Sequence, residues 1–457
     1  MNSIKKFMIS AGILSCALGA SAQTSYSGYF LDNYNYRFQM NPAMGNEKGF
    51  VSFPALGNLN LAMHGSIHVS DLVYPLNGKT VLFTNPGISE SEAMSKFNDR
   101  NRLGSNIKVD ILSFGFKGFG GYNTFSISAK ANLETSIPKA FFSLAKEGVT
   151  NNTYDIKDMF GYADAYAQIA LNHSRWIKQV PGLRVGATLK VLLGAGNVDF
   201  KFNEAELVLD QNNWIARTNA DVYASITGMQ FEHKRNDKTG MEYVSGANVD
   251  DGFGLNGWGL GFDLGAEYIW NDLRFSAAVL DLGFMNWGKT HWASTDGTKE
   301  IMTDAYTFNA DDNASNSFDN EWDRFTGDLS KLYELKDMGE LSSRSRMLGA
   351  TLNLGVMYEL PMYRRLHFGL LNSTRINGRY SWTQFRLSAN VTPVNFLSLD
   401  VNAAAGTYGV GLGWMLNIHT TGFNLFFGSD HHIGKLAKQF VPLNSNAAFN
   451  MGINFPF

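Results

Sequence analysis

Hydrophobic residues alternate with small or polar residues over many stretches of this chain, each about ten positions long. The clearest stretch runs from 183 to 193, where every odd-numbered residue is apolar. The same period of two recurs at 125–133, 258–268 and 348–358. Because successive side chains of a strand point to opposite faces, this period predicts β-strands with one apolar and one small or polar face.

Ten further segments follow the same pattern, and with the first four they predict 14 antiparallel strands. Sixteen strands are the alternative, if 197–209 and 213–228 form an extra pair instead of a long hairpin beyond a membrane. The further segments are 59–71, 107–119, 161–173, 273–282, 366–376, 380–391, 395–405, 408–418, 421–428 and 447–457.

The last strand decides the fold class. It alternates from Phe449 to the final residue, Phe457. Nowhere does the chain contain an apolar run of about 18 residues, the length that a membrane helix needs. A strand that ends the chain must close against the first strand, because lipid offers no hydrogen-bonding partner to an open sheet edge. We therefore predict an all-β, transmembrane antiparallel β-barrel, with Phe457 as its barrel-closing terminal residue.

The beginning of the chain indicates export. A basic start, an apolar stretch too short to span a bilayer and the small residues Ala20-Ser21-Ala22 predict a signal peptide over 1–22, cleaved before Gln23. A lipoprotein box ending at Cys16 is the alternative, but no polar tether follows it. Cys16 is the only cysteine, so the mature chain has no disulfide and no thiolate metal site. Together with the barrel, this predicts the outer membrane of a Gram-negative cell.

Two regions remain around the predicted barrel strands. Residues 23–56 alternate poorly and contain Asn41-Pro42-Ala43, so they form either a plug inside the barrel or a periplasmic tail. The barrel itself occupies 57–457. Short turns are expected on the periplasmic side and long loops outside. The long external loops are predicted at 72–106, 136–160, 283–346 and 429–446.

Tryptophans near the predicted strand ends suggest where the membrane surface lies. An amphipathic ring is favoured at the level of the lipid headgroups. The candidate interface aromatics are Trp176, Trp270, Trp287, Trp382 and Trp414.

Composition narrows the possible functions. The net charge is -3, which gives no support for nucleic-acid binding. The predicted lumen-facing positions are often Gly, Ser, Thr or Asn with few charges. An ion-selective pore would show rings of one charge sign. The pattern favours a lumen that holds a plug or an apolar ligand.

No motif indicates catalysis, a cofactor or a metal. Asp430-His431-His432 is the nearest to a metal or catalytic cluster, but neighbouring strand residues point to opposite faces, so we expect a solvated loop. The acid-rich loop 283–346 lacks the fixed carboxylate spacing of a calcium loop. We therefore expect no enzyme.

Several sequence segments together resemble those of a known family. They are Asn41-Pro42-Ala43, the run from Val51 to Leu59, the glycine-rich strand from Gly259 to Tyr268, Val279-Leu280-Asp281-Leu282-Gly283-Phe284, and the last strand ending on Phe. The set resembles an uncharacterised family of outer-membrane barrels related to the FadL (long-chain fatty acid transporter) and PorV group. The resemblance implies about 14 strands with the N-terminus as a plug, and either passage of hydrophobic small molecules or a docking role in secretion.

Two functional hypotheses follow from the predicted barrel and the resemblance. The first, which we prefer from the sequence, is passive transport of hydrophobic small molecules in the manner of FadL-like channels. The second is a non-transporting scaffold or partner barrel in a surface-assembly or protein-secretion complex, with 283–346 as its docking surface. The expected partners are outer-membrane lipid, the barrel-assembly machinery during insertion, and either a hydrophobic ligand or a secretion-complex partner.

Overall fold

The structure, a computed structural model, describes residues 26–147, 152–209, 213–236, 240–249, 254–304, 334–431 and 446–457. The signal-peptide prediction for 1–22 lies outside these residues, as does most of the acid-rich stretch of loop 283–346. No helix in the described part of the chain is long and apolar enough to cross a membrane.

Fourteen antiparallel strands form one closed barrel, as the alternation predicted. In chain order they are β1 (Asn58–Gly65), β2 (Arg100–Gly118), β3 (Gly121–Pro138), β4 (Phe160–Trp176), β5 (Leu183–Leu209), β6 (Gly257–Trp270), β7 (Leu273–Trp287), β8 (Ala350–Glu359), β9 (Leu366–Ile376), β10 (Trp382–Val394), β11 (Leu397–Gly406), β12 (Gly409–Thr420), β13 (Phe423–His431) and β14 (Ala447–Pro456).

The barrel closes where β1 meets β14. Leu59 pairs with Met451 and Leu61 with Phe449. A short strand, Phe50–Ser52, continues the same edge and pairs with both β14 and β2. Between it and β1 the chain bulges outward, but backbone hydrogen bonds from this bulge reach both neighbours, for example Ala55 N–H to the Ile111 carbonyl at 2.9 Å. Every strand of the described barrel therefore has two neighbours, as lipid requires.

Side chains alternate across the wall. On β10 the outward Phe385 and Leu387 are 56% and 63% exposed, whereas the inward Arg386 is only 2% exposed. On β14 the inward Asn450 and Asn454 are buried in the same way. An apolar outer face and a polar inner face are typical of a barrel whose outside contacts lipid.

The connections differ at the two ends of the barrel. Two-residue turns such as 271–272 and 421–422 lie at the end where both termini of the barrel also lie. At the other end β5 runs for 27 residues, about 90 Å of strand, whereas a bilayer needs only about 10 residues. Asn213–Ile226 pairs with the outer half of β5. The segments 197–209 and 213–228 thus form a hairpin beyond the barrel, and 14 strands is the correct count.

The outer end carries additional structure. Asn213–Ile226 also pairs with Thr290–Ser294 and Lys299–Asp304, and Thr290–Ser294 pairs with Lys336–Leu341. These strands form what we call the external sheet. Smaller external strands are Val73–Leu76, Lys79–Leu82, Thr153–Asp155, Met229–Arg235, Glu242–Val249 and Arg344–Met347.

Three short helices pack beside these strands: α1 (Val69–Leu72), α2 (Glu90–Met94) and α3 (Lys139–Glu147). The rings of Phe97 and Phe142 stack with centroids 4.0 Å apart, and Phe83 meets both edge-on. This aromatic cluster joins α3 to the loop between β1 and β2.

Strands reach further outward than the alternation predicted, and the predicted loop bounds need correction. β2 begins at Arg100, within the predicted loop 72–106. β3 ends at Pro138, β7 at Trp287 and β13 at His431, each inside a predicted loop. Strand pairing continues outward beyond the part of the barrel that contacts lipid. Lipid no longer selects for alternating apolar and polar residues there, so the alternation does not mark the strand ends.

Candidate functional site

The lumen of the barrel is the candidate functional site, and the segment from Tyr26 to Gly49 occupies it. The side chains of Tyr29, Tyr34 and Tyr36 are fully buried. Phe426 of β13 meets Tyr34 edge-on, with centroids 4.8 Å apart, and lies 5.7 Å from Tyr36. The N-terminal segment therefore packs as an aromatic core inside the barrel, and we call it the lumen segment.

Asparagine side chains of the wall hold the backbone of the lumen segment. Asn353 donates to the Met40 carbonyl at 2.9 Å, and Asn172 donates to the Pro42 carbonyl at 3.2 Å. Asn417 and Asn424 both donate to the Asn33 carbonyl. The lumen segment forms two 3-10 helices, Tyr26–Gly28 and Arg37–Gln39, and several backbone turns, but carbonyls outside these bonds are buried and need side-chain donors. The many inward asparagines of this barrel meet that demand.

Asn41-Pro42-Ala43, the candidate plug residues, lie against a pair of facing glycines in the wall. Gly265 and Gly186 are register partners on β6 and β5. A Cβ on Gly265 would come within 2.1 Å of Asn41 Oδ1, and a Cβ on Gly186 within 2.2 Å of the Pro42 carbonyl oxygen. These glycines are therefore needed for the close approach of the lumen segment to the wall.

Asp430 anchors the outer end of the lumen segment. Its carboxylate accepts hydrogen bonds from the backbone N–H of Tyr26 and Ser27, at 2.8 and 2.7 Å, and from the Ser27 hydroxyl. Asp430 is 2% exposed. The expectation of a solvated Asp430-His431-His432 loop is wrong for Asp430, which the strand alternation of β13 directs inward. His432 lies outside the described residues.

An ion-pair cluster holds the lumen segment near the opposite end of the barrel. Asp32 accepts from Arg37 at 2.7 Å and from Arg274 of β7 at 2.6 Å. Arg274 lies in turn 3.6 Å from Glu267. Since Arg274 is the second residue after the two-residue turn 271–272, this cluster lies near the end of the barrel that bears the short turns.

The wall itself contains a buried charged triad. Lys190 Nζ lies 2.6 Å from both Asp263 Oδ1 and Asp281 Oδ1. Asp281 adopts a left-handed conformation with φ of 59° at a bulge in β7, and its N–H donates to Asp263 at 2.7 Å. The expectation of few charges in the lumen is wrong. Lys190, Asp263 and Asp281 are single charged residues on three different strands, and only the pairing of those strands brings them together.

The bulge at Asp281 also explains the position of Trp287. Before the bulge the even-numbered residues of β7 face inward, and after it the odd-numbered residues do. A shift by one residue moves every following side chain to the opposite face. Trp287 is consequently 1% exposed and packs against Leu192 and Met285. Its assignment as an interface aromatic is wrong.

Trp382 is also an inward residue. It shares the parity of the buried Gln384 and Arg386 on β10, is 6% exposed and lies edge-on to Tyr26 at 6.5 Å. The assignment to the membrane interface considered only its place at a strand end. Alternation along β10 would have placed it inside.

The other candidate aromatics lie on the outside of the barrel. Trp176 and Trp270 end strands at the short-turn side and are 48% and 55% exposed. Trp414 lies mid-strand on β12. Phe457 donates its N–H to the Gly49 carbonyl at 2.9 Å, and its ring stacks near Phe114. Their contact with headgroups stays a prediction.

Among the described residues, no group of three or more His, Cys, Asp or Glu side chains is arranged to hold a metal ion. The geometry of the lumen is that of a filled barrel: an aromatic core, polar anchors and paired charges. Together with the closed strand ladder and the apolar outer face, it defines the class of protein, a 14-stranded transmembrane β-barrel of the outer-membrane type.

The chain belongs to the family of unknown function DUF5723, whose model matches residues 42–430. No curated protein matches the sequence. Among solved structures, the toluene transporter TodX of P. putida is 11% identical, with 92% of each chain covered and a TM-score of 0.38.

Two further solved structures have similar values. The toluene transporter TbuX of Ralstonia pickettii is 9% identical over 93% of this chain and 94% of its own, with a TM-score of 0.41. A Pseudomonas aeruginosa FadL homologue is 10% identical over 96% and 97%, with a TM-score of 0.35. The similarity to the FadL group that the sequence predicted is thus found among solved structures. With these identities and TM-scores, it does not indicate what this barrel binds.

The triad makes a testable prediction. Changing Lys190 to Met leaves two facing carboxylates buried without a counter-charge, and such a loss costs about 3–5 kcal/mol. We expect the temperature at which the detergent-extracted barrel unfolds, measured by its gel-mobility shift, to fall clearly below that of the wild type.

The control removes the whole triad. Lys190→Met combined with Asp263→Asn and Asp281→Asn deletes every charge, so most of the lost stability should return. If the triple variant unfolds as early as the single variant, the charges are not what stabilises this part of the wall.

Proposed function

We propose that this protein is a plugged outer-membrane barrel that acts as a surface scaffold, not as an open pore and not as an enzyme. The observation that carries the proposal is the burial of the lumen segment. Tyr26 and Ser27 are buried at its first end, and Met44 and Gly45 are buried towards its last. Wall residues hold it along its length, from Asp430 at the outer end to Arg274 near the short turns. A lumen filled in this way would block the passage of a solute.

The external sheet is the proposed docking surface. It extends β5 well beyond the length that a bilayer requires and includes Thr290–Ser294, Lys299–Asp304 and Lys336–Leu341, all within 283–346. Arg217 of the strand Asn213–Ile226 forms ion pairs with both neighbouring strands, with Glu206 of β5 at 2.8 Å and with Glu300 of Lys299–Asp304 at 2.6 Å. A paired sheet presents its side chains in fixed positions, which suits recognition of a partner better than an unpaired loop would.

Passive transport of hydrophobic small molecules is the second candidate. The observation that favours it is that the lumen segment forms no strand of the barrel before Phe50–Ser52. Hydrogen bonds, one aromatic cluster and the Asp32 ion pairs hold it in place, so its departure would leave the barrel wall intact. Transport in this form would require the lumen segment to leave the barrel.

Conductance separates the two candidates. Full-length protein in planar bilayers should stay at baseline current. Deletion of residues 23–45 retains the paired strand Phe50–Ser52 and should open a conducting barrel, because its lumen would then be filled only by water. The double variant Asp32→Asn, Arg274→Met should show intermittent openings, since it removes the ion pair that joins the segment to β7.

Each outcome bears on one proposal. Steady conductance of the full-length protein would refute the plugged scaffold. Baseline current after the deletion would show that something other than the lumen segment closes the barrel. Uptake of a hydrophobic dye into liposomes that contain only the full-length protein would favour transport.

Docking can be tested with a photo-reactive amino acid placed on either end of the barrel. Met302 lies in the external sheet and is 63% exposed, whereas Met362 lies in a short-side turn and is 90% exposed. Irradiation of intact cells should give a discrete, saturable adduct at 302 and not at 362. Adducts of equal yield at both positions, or none at 302, would contradict the docking surface.

We further propose that the protein reaches the membrane through a signal peptide removed before Gln23. The mature N-terminus would then lie three residues before Tyr26. Intact-mass measurement of protein extracted from outer membranes should give the mass of a chain that begins at Gln23. A lipid-modified chain that begins at Cys16 would contradict this prediction.

A further inference from the structure

A cavity of about 140 Å³ remains in the outer half of the lumen, next to the lumen segment. Tyr26, Phe38 and Gln39 of that segment line one side of it. Arg346, from the external strand Arg344–Met347, and Asn377, from the loop after β9, line its outer part. The space accommodates about ten water molecules or a small polar solute.

Two of the lysines that line this cavity already have partners. Lys190 is held by Asp263 and Asp281 in the buried triad. Lys108 donates to Gln39 and lies 3.8 Å from Asp110. Neither lysine therefore needs a ligand.

Three other cations line the cavity and have no carboxylate partner among the described residues. Lys130 contacts only the Tyr166 ring, with Nζ 5.9 Å from the centroid. Arg346 lies over the Tyr162 ring at 3.5 Å. Arg375 forms no ion pair, and its buried Nε has no hydrogen-bond acceptor. Ammonium and guanidinium groups are donors only, so their demand must be met by acceptor oxygens.

Four carboxylates line the cavity. Asp263 and Asp281 hold Lys190, and the other two, Asp164 and Glu134, do not meet this demand either. Asp164 is satisfied by the Tyr162 hydroxyl and by Asn132, both at 2.6 Å. Glu134 accepts from Asn377 at 3.3 Å. Neither carboxylate forms an ion pair with Lys130, Arg346 or Arg375. The buried atoms of the lining without a hydrogen-bond partner are the Arg375 Nε donor and the Gln168 Oε1 acceptor, so the charged groups left unpaired are cations.

We propose that this cavity binds a small solute that carries a carboxylate or phosphate oxyanion. Lys130 and Arg375 donate to the oxyanion, and Arg346 completes the site from its outer side. Charge-assisted hydrogen bonds of this kind are the strongest that side chains make with a small ligand. The site is independent of the docking role, because it lies in the lumen and not on the external sheet. It makes the barrel a receptor for an anion as well as a scaffold.

Calorimetric titration of the full-length protein in detergent tests the proposal, with inorganic phosphate and citrate as probes and chloride as the control at constant ionic strength. Saturable binding of phosphate or citrate, and none of chloride, is expected. Changing Lys130 to Met or Arg375 to Met should weaken the binding at least about tenfold, because each removes a charged donor. Preference for phosphate over citrate, or the reverse, identifies the type of oxyanion.

Arg379→Met is the matched control. Arg379 lies beside Asn377, lies over the Phe160 ring at 5.5 Å, and does not line the cavity. Its loss removes the same charge from the same rim and should leave binding unchanged. If Lys130→Met fails to insert, Lys130→Gln replaces it.

Three results would overturn the proposal. They are the absence of saturable binding of both oxyanions to the wild type, equal binding of chloride, and an equal loss of binding in Arg379→Met. The last two would indicate a general response to salt at the outer rim.

Discussion

The rest of the structure depends on the demand that no backbone hydrogen-bonding group be left without a partner where water is absent. On the lipid side, this demand closes the sheet through the pairing of Asn58–Gly65 with Ala447–Pro456. It also accounts for the short strand Phe50–Ser52, which continues the first edge past the bulge. A break in this ladder would expose unpaired amides to hydrocarbon.

The same demand shapes the inside of the barrel. The lumen segment satisfies part of its backbone through short turns and two 3-10 helices, and inward asparagines supply partners to carbonyls that remain. Asn353, Asn172 and Asn417 each donate to one of its carbonyls. Facing glycines then allow the two backbones to approach. The segment and the wall thus stabilise one another. Opening a pore would break these contacts.

Much of the fold could be predicted from the sequence because alternation is a local signal. Leu183–Leu193 and the terminal run to Phe457 each reveal a strand, and lipid enforces the pattern on the outer face. The signal weakens where lipid no longer acts. For this reason the alternation alone places the outer ends of β2 and β7 in loops. It also does not reveal the bulge at Asp281, after which Trp287 points inward.

The interior could be predicted only in part. Asn41-Pro42-Ala43 interrupts the alternation and so marks the lumen segment as different from the strands. The local sequence does not distinguish a plug inside the barrel from a periplasmic tail. The partners of Asp430 lie some 400 residues away in the chain, and nothing near Asp430 reveals them. Isolated charges such as Lys130 and Arg375 are placed together only by the curvature of the closed sheet.

The position of the lumen segment can be measured directly, since Cys16 is the only cysteine of the chain and lies in the predicted signal peptide. Cysteines introduced in place of Ser27 and Asn402, whose side chains are 3.0 Å apart, should form a disulfide in intact outer membranes under mild oxidation. Before oxidation, neither thiol should react with a membrane-impermeant maleimide. Two freely labelled thiols that never cross-link would show that the segment lies outside the barrel.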